Sequence, residues 1–271
     1  MTLKDFHASA NALPSTERMP ALFVGHGDPM NAIEDNRFSR TWTRIGQELP
    51  KPRAILSVSA HWFVRETLVH VSAQPRTIHD FYGFPQELFD QRYPCPGAPA
   101  AAEAARHAAK DVPIGLDTEW GLDHGTWSVL KRLYPDADIP TFQLSLDYTK
   151  PSRFHYELGR ALAPLRRKGV LIMGSGNIVH NLGMVDPSSE RPFDWAAEFD
   201  AVSRKLIEDR DHDALVAYEK LGHAAQLSIP SPDHYWPLLY ALGLQEKDET
   251  PSFFNEGVVY GSVSMLGFRL S

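Results

Sequence analysis

Short apolar runs that stop abruptly at glycine and histidine recur along the chain. Residues 21–24, Ala-Leu-Phe-Val, are continuously apolar, as expected of a strand covered on both faces, and they run straight into Gly25, His26 and Gly27. Residues 54–61, AILSVSAH, repeat the design and are followed by Trp62. Residues 169–180, GVLIMGSGNIVH, repeat it again, with a glycine turn between the apolar run and the imidazole. Three buried strands are thus predicted to end at histidines. In open α/β sheets, ligands sit beyond the carboxyl ends of the strands, so these side chains are expected to meet at one site.

Between these runs the period lengthens to that of amphipathic helices. Phe38, Trp42, Ile45 and Leu49 mark a helix over 38–49, which Pro50 and Pro52 end. Residues 68–73 read as a strand. The segment 77–99, TIHDFYGFPQELFDQRYPCPGAP, is rich in aromatics and proline without a clear period, so it is expected to be a binding loop near the mouth of the site. Residues 100–111 are helical by propensity, 112–117 read as a short strand, and 121–135 pass from a turn into a helix. A strand over 141–146 and a basic amphipathic helix over 153–168 lead into the third histidine-tipped strand.

Beyond it, 193–211 and 212–227 read as helices. Residues 228–244 open with prolines and continue as a core-facing helix with His234 at or near its first turn, and 258–270 alternate like a strand. This order predicts an α/β fold: a single domain with a central, mostly parallel mixed sheet flanked by helices, and a metal site at the carboxyl ends of the strands. Residues 1–18 read as a loosely held N-terminal arm and 19–271 as the folded domain.

Composition narrows the partners. A chain of 271 residues with 43% hydrophobic content can bury one large core. A net charge of -7 leaves no basic field for a nucleic acid backbone, which points to a small-molecule substrate. No segment supplies the roughly 18 consecutive apolar residues of a membrane span, and the first twenty residues contain no continuous apolar stretch of the secretory type. Cys95 is the only cysteine, so no internal disulfide forms; a reducing, cytoplasmic location is expected, with the thiol read as inert.

The chemistry lies in the 12 histidines, most of which need only structural explanations; His7, His70, His107, His155, His212 and His223 are read that way. His26, His61, His180 and His234 differ in falling at element ends. From pattern alone two readings stay open for them: ligands of one shared metal, or four independent structural imidazoles. His124, in GLDHGTW, is a candidate acid, base or hydrogen-bond donor at a loop edge, and so is His79, in TIHDFYGF, with Asp80 beside it orienting the loop. There is no H-E-x-x-H, no G-x-S-x-G elbow and no P-loop, and Gly174-Ser175-Gly176 lacks the rest of a dinucleotide fingerprint.

Taken in order, GHGDPM, SAHWF, TIHDFYGFP, WGLDHGTW, GSGNIVHNL and PSPDHYWPLLY resemble the class III extradiol ring-cleavage dioxygenases of the LigB superfamily. The likeness spans roughly residues 19–270 and is nearest to the DOPA 4,5-dioxygenase branch. It implies that 19–271 form an extradiol dioxygenase catalytic domain with His26, His61 and His234 as metal ligands. His180 is then either a fourth ligand in a zinc-filled form or the acid/base when iron and substrate are bound. His124 would line the substrate side, and the 77–85 loop, with His79 and Tyr82, would cover the ring.

Protocatechuate-type relatives use two histidines and a glutamate, so His234 departs from the common facial triad and leaves the site one charge more positive. The resemblance implies Fe(II) for turnover, with Zn(II) as a replacement in purified or crystallised protein, because zinc cannot change oxidation state. The substrates would be O2 and a catechol such as L-DOPA, opened to a seco-DOPA semialdehyde. The competing readings are a zinc-dependent hydrolase built on the same histidines and a catalytically silent metal-binding interaction protein.

Overall fold

Continuously apolar strands are stable only between two covering layers, and the sheet supplies that setting. The computed structural model describes residues 14–271. The chain opens with β1 (Ala21–Gly25), α1 (Arg37–Glu48), β2 (Ala54–Val64) and β3 (Leu68–His70). It continues through α2 (Gln86–Phe89), α3 (Pro99–Ala108), β4 (Gly115–Asp117), α4 (His124–Leu133) and β5 (Thr141–Asp147). Then come α5 (Ser152–Leu162), β6 (Val170–Gly176), α6 (Asp194–Asp209), α7 (His212–Val216), α8 (His223–Ser228) and α9 (Trp236–Gly243). The strands β7 (Pro251–Phe254), β8 (Val258–Val259), β9 (Val263–Ser264) and β10 (Gly267–Leu270) finish it.

Eight strands form one mixed sheet in the order β4-β3-β5-β2-β6-β1-β10-β7. Its centre is parallel: β1 with β6, β6 with β2, and β2 with β5, which brings their carboxyl ends to one edge. Antiparallel pairing enters beyond β1, where β10 and β7 add on, and at Val69 of β3 against β5. Alternate residues of the central strands feed two cores, so neither face meets water. Phe23, Leu56, Val58 and Ile172 pack with Leu158, Leu162 and Leu238 on one face. Leu22, Val24, Ile55 and Met173 pack with Trp42, Trp127 and Leu130 on the other.

The helix entries follow the expected capping chemistry. Asn36 and Ser39 form a reciprocal capping box at α1, and the Asp123 side chain accepts the Thr126 N–H at 3.1 Å to cap α4. Several elements differ from the sequence expectation. The helix predicted over 153–168 ends at Leu162 and continues as a 3-10 turn over Ala163–Lys168, because Pro164 lacks the N–H an α-helix needs. The predicted 212–227 helix is broken into α7, a 3-10 turn and α8, with Gly222 at φ +92 before α8.

The strand predicted over 258–270 is three pieces: left-handed Tyr260 and Gly261 turn β8 into β9, and only β10 joins the main sheet. The strand β7 had no sequence signal. Residues 77–99 include the short helix α2. Of the predicted arm, residues 1–13, His7 among them, lie outside the described residues. Residues 14–18 are tied down: the Thr16 N–H donates to the Arg167 carbonyl at 2.9 Å, and Arg18 pairs with Glu246 and Asp248. No helix among the described residues is long and apolar enough to cross a membrane.

Candidate metal centre

Five histidines from five separate stretches converge at the carboxyl ends of the central strands. His26 follows β1, and its backbone N–H donates to the Gly176 carbonyl at 3.1 Å, which ties the ends of two parallel strands together. His61 lies within β2 rather than at its end; the strand runs on to Val64 and its register with β5 shifts between Val58 and Phe63, a bulge that re-aims the side chain. His124 is the first residue of α4. His180 lies four residues past β6, where it bridges Val263, and His234 lies two residues before α9.

Two glycines make this convergence sterically possible. A Cβ on Gly176 would come within 2.1 Å of the His234 carbonyl oxygen, so only glycine lets the end of β6 approach that segment. A Cβ on Gly125 would meet Ser59 Oγ at 2.6 Å and the His61 ring at 3.0 Å.

Ring centres of His26, His61 and His234 form a near-equilateral triangle with sides of 5.1, 5.3 and 5.0 Å. His124 lies 3.9 Å from His61 and 5.6 Å from His26 by the same measure. One ligand atom each of His26, His61 and His124 falls within 4.8 Å of the others. His180 is stacked on His234, centroids 3.4 Å apart and planes inclined by 7°. Nearly parallel rings at that separation cannot both direct an in-plane lone pair at one ion. In this arrangement only one of the two can be a ligand.

Proton positions follow from the partners behind each ring. The Ser175 hydroxyl donates to the Gly125 carbonyl at 2.6 Å, so toward His26 Nδ1, 3.0 Å away, it can only accept. His26 therefore carries its proton on Nδ1 and its lone pair on Nε2. His234 Nδ1 is 2.5 Å from Asp233 Oδ2, and His61 Nδ1 is 3.2 Å from Asp80 Oδ2, a charge contact without hydrogen-bond alignment. The Nε2 atoms of His26 and His61 face each other at 3.2 Å. A proton on His61 Nε2 makes this a ring-to-ring hydrogen bond; with both Nε2 atoms unprotonated, two lone pairs at this distance repel unless a cation lies between them.

Nitrogens bound to one ion at about 2.0–2.1 Å sit about 3.0–3.4 Å apart, so the 3.2 Å spacing of His26 and His61 fits a shared divalent metal. Burial, reinforced by the neighbouring imidazoles, pushes His26, His61 and His180 well down from the usual histidine range, which keeps them neutral and able to ligate or to accept a proton. Burial alone would raise Asp80; its contacts with His124 outweigh this and hold the carboxyl below its ordinary value. Fully buried Asp123 is pushed up, by burial first and by the charge of Asp80 second.

The structure thus gathers His26, His61, His124, His180 and His234, whereas His79 and Tyr82 make no described contact with this cluster. The His79 ring packs on Phe81, Phe89 and Trp127, with Nε2 3.0 Å from the Gln91 carbonyl. Tyr82 is 92% exposed, while its neighbour Phe81 turns inward, edge-on to His124 at 5.7 Å. Sequence reasoning missed Ser175, Asp233 and Phe81 and gave Asp80 only a loop-orienting role. Asp233 was open to discovery, since a carboxylate adjoins a candidate ligand; Ser175 lies 149 residues from its partner His26 and left no local signal.

Comparison with known proteins agrees with this geometry. The family described as the catalytic LigB subunit of aromatic ring-opening dioxygenase matches residues 20–270. A protein of Escherichia coli K12 named 4,5-DOPA dioxygenase extradiol is 47% identical over 94% of this chain and 96% of its own length. A Beta vulgaris protein of the same name is 37% identical over 82% of this chain and 85% of its own. The crystal structure of an uncharacterized Escherichia coli K12 protein superposes with a TM-score of 0.83 at 42% identity, covering 94% of this chain and all of the other. Its sequence, its mixed sheet and its metal-competent histidine cluster together make the chain a member of the LigB family of metal-dependent, aromatic ring-opening dioxygenases.

Proposed function

We propose that residues 19–271 form a ferrous extradiol dioxygenase that opens L-DOPA between C4 and C5, beside the diol, to a seco-DOPA semialdehyde. The observation that carries the reading is the triangle of His26, His61 and His234, with His180 stacked against one corner. The names of the relatives support the substrate. His26, His61 and His234 hold the metal through Nε2. When bound there, a ferrous ion supplies electron transfer between catecholate and dioxygen, which zinc does not.

The remaining steps belong to the chain. Three neutral imidazoles bring no negative charge of their own, so the site favours an anionic catecholate. His180, kept neutral by burial and not needed as a ligand while stacked, accepts the proton of the second hydroxyl. His124, with Asp80 behind its Nδ1, presents Nε2 as the acid/base atom through which that proton returns as the ring opens. The 77–85 loop covers the ring, with Phe81 against His124, Tyr82 at the tip and His79 bracing the base. Both atoms of O2 enter the product, one in the new carboxylate and one in the aldehyde, and the ring supplies all the electrons. A reducing cytoplasm suits the buried, unpaired Cys95.

The test is an oxygen electrode with Fe(II)-reconstituted protein and L-DOPA, caffeate, protocatechuate and catechol. One O2 consumed per ring, a yellow product carrying both atoms of ¹⁸O2, and the highest kcat/KM for L-DOPA are expected. No uptake with any catechol overturns the reading, and a higher kcat/KM for another catechol overturns the choice of L-DOPA.

A further inference from the structure

Asp80 belongs to none of the elements that build the metal site, yet it touches two of its histidines. It stands in the irregular segment after β3, with its side chain 18% exposed. Its Oδ1 accepts the backbone N–H of His124 at 2.9 Å. That N–H opens α4 and has no partner inside the helix, so the bond anchors the carboxylate at a fixed point. From this anchor Oδ1 lies 3.1 Å from His124 Nδ1 and Oδ2 lies 3.2 Å from His61 Nδ1, charge contacts in which neither ring is aligned for a hydrogen bond.

An ionised carboxylate offers only acceptors, and a neutral imidazole has one N–H to give. A single group therefore favours the Nδ1–H form of both rings and turns both Nε2 atoms toward the centre. Capping of α4 does not require this, because Asp123 already caps the helix and is itself held by Gln143 at 2.7 Å. Asp233 makes the corresponding contact with His234 alone. The negative charge that a carboxylate ligand would place on the metal is thus set one residue further out.

We infer that Asp80 is a positioning residue that sets the tautomer of His61 and His124 together, so that metal affinity and the acid/base histidine depend on one side chain. The inference rests on the assignment of His61 as a ligand. In the same stroke the carboxylate pins the loop carrying Phe81 and Tyr82 to the metal centre.

Two measurements test it. In Asp80→Asn the amide presents a donor or a neutral oxygen where the charge stood; cobalt(II) titration of the apoprotein, read by its visible absorption against a competing chelator, is expected to show a 10- to 100-fold weaker Kd. At saturating Fe(II), kcat should fall about tenfold or more with KM for L-DOPA little changed, and in a His124→Phe background that further fall should vanish while the weaker cobalt(II) binding remains. Wild-type cobalt(II) affinity in Asp80→Asn, or kcat losses that multiply independently with His124→Phe, overturns the proposal.

The second measurement needs no variant and so does not depend on Asp80→Asn folding. Imidazole ¹⁵N spectra of the zinc-loaded wild-type protein should show His61 and His124 protonated at Nδ1, and Nε2–H on either ring overturns the proposal. Failure of the underlying ligand assignment looks different, because His61→Ala would then bind cobalt(II) as tightly as the wild type.

Discussion

Among the described residues histidine is buried both inside and outside the metal centre, and burial alone does not make a site. His155 is fully buried on α5, stacked on Trp236 with ring centres 4.0 Å apart and Nδ1 3.2 Å from the Tyr240 hydroxyl. Its Nε2 has no hydrogen-bond partner. His26 is almost as enclosed and His61 partly so, and desolvation pushes all three imidazoles down. Convergence separates them. The Nε2 of His155 meets no second imidazole, whereas the Nε2 atoms of His26 and His61 face each other with an acceptor set behind each ring. A depressed histidine pKa marks burial; converging imidazole nitrogens with dedicated partners behind them mark a metal site.

The sharpest way to break that contrast is to remove one histidine from each region. His61→Ala should lose tightly bound metal on dialysis and lower kcat by on the order of a thousandfold or more, since even loss of an outer partner costs 10- to 100-fold. His155→Phe, which keeps a ring against Trp236, should retain the metal and stay within about threefold of wild-type kcat. Metal analysis and the oxygen electrode read both. A His61→Ala protein that keeps its ion removes the distinction.

The next effect is on stability, and here His155 is the active partner. Burial lowers it to about 3, with Asp147 partly offsetting the shift, against about 6.5 in the unfolded chain. Between those values the unfolded chain binds the extra proton, so stability rises with pH across the window. The contribution is complete above about 6.5 and is lost as pH falls toward 3. The slope for one such group approaches 1.4 kcal/mol per pH unit. His155→Phe should therefore lose about 2 kcal/mol less than the wild type between pH 7 and pH 5 in urea unfolding of the apoprotein. Parallel losses in the two proteins contradict the burial account.

The same contrast shows which parts of the molecule were legible in the sequence. The runs before Gly25 and through 169–176 declared themselves because a strand buried on both faces must be apolar at every position, and glycine marks where it turns. His26, His61, His180 and His234 stood out from His155 because they sit by strand ends or prolines, whereas His155 lies on a face of an amphipathic helix. The rest is not a local property. That β2 continues past His61, or that β10 returns antiparallel beside β1, depends on register with residues far away in the chain. The bond of Asp80 to His124 spans 44 residues, and no spacing rule announces it. In the aperiodic 77–99 segment nothing says which of Phe81 and Tyr82 faces inward.

Tyr82 is the reverse of His155: exposed, and by proposal employed. At 92% exposure its side chain adds almost nothing to the folded state, and Gly83 beside it takes φ +79 with open space where a Cβ would stand. Phe81, by contrast, packs against Phe84, Phe89 and Trp127 as well as His124. Removing Phe81 would disturb both loop and site, so Tyr82→Ala is the cleaner probe. If the tip folds over bound catechol, the contact is made equally in the ground state and the transition state, which affects KM and spares kcat. The expected result is a two- to fivefold higher KM for L-DOPA with kcat and Tm unchanged, in keeping with the loss of about 0.5–1 kcal/mol of surface contact. An unchanged KM takes Tyr82 out of the substrate set and leaves Phe81 as the aromatic face of the loop.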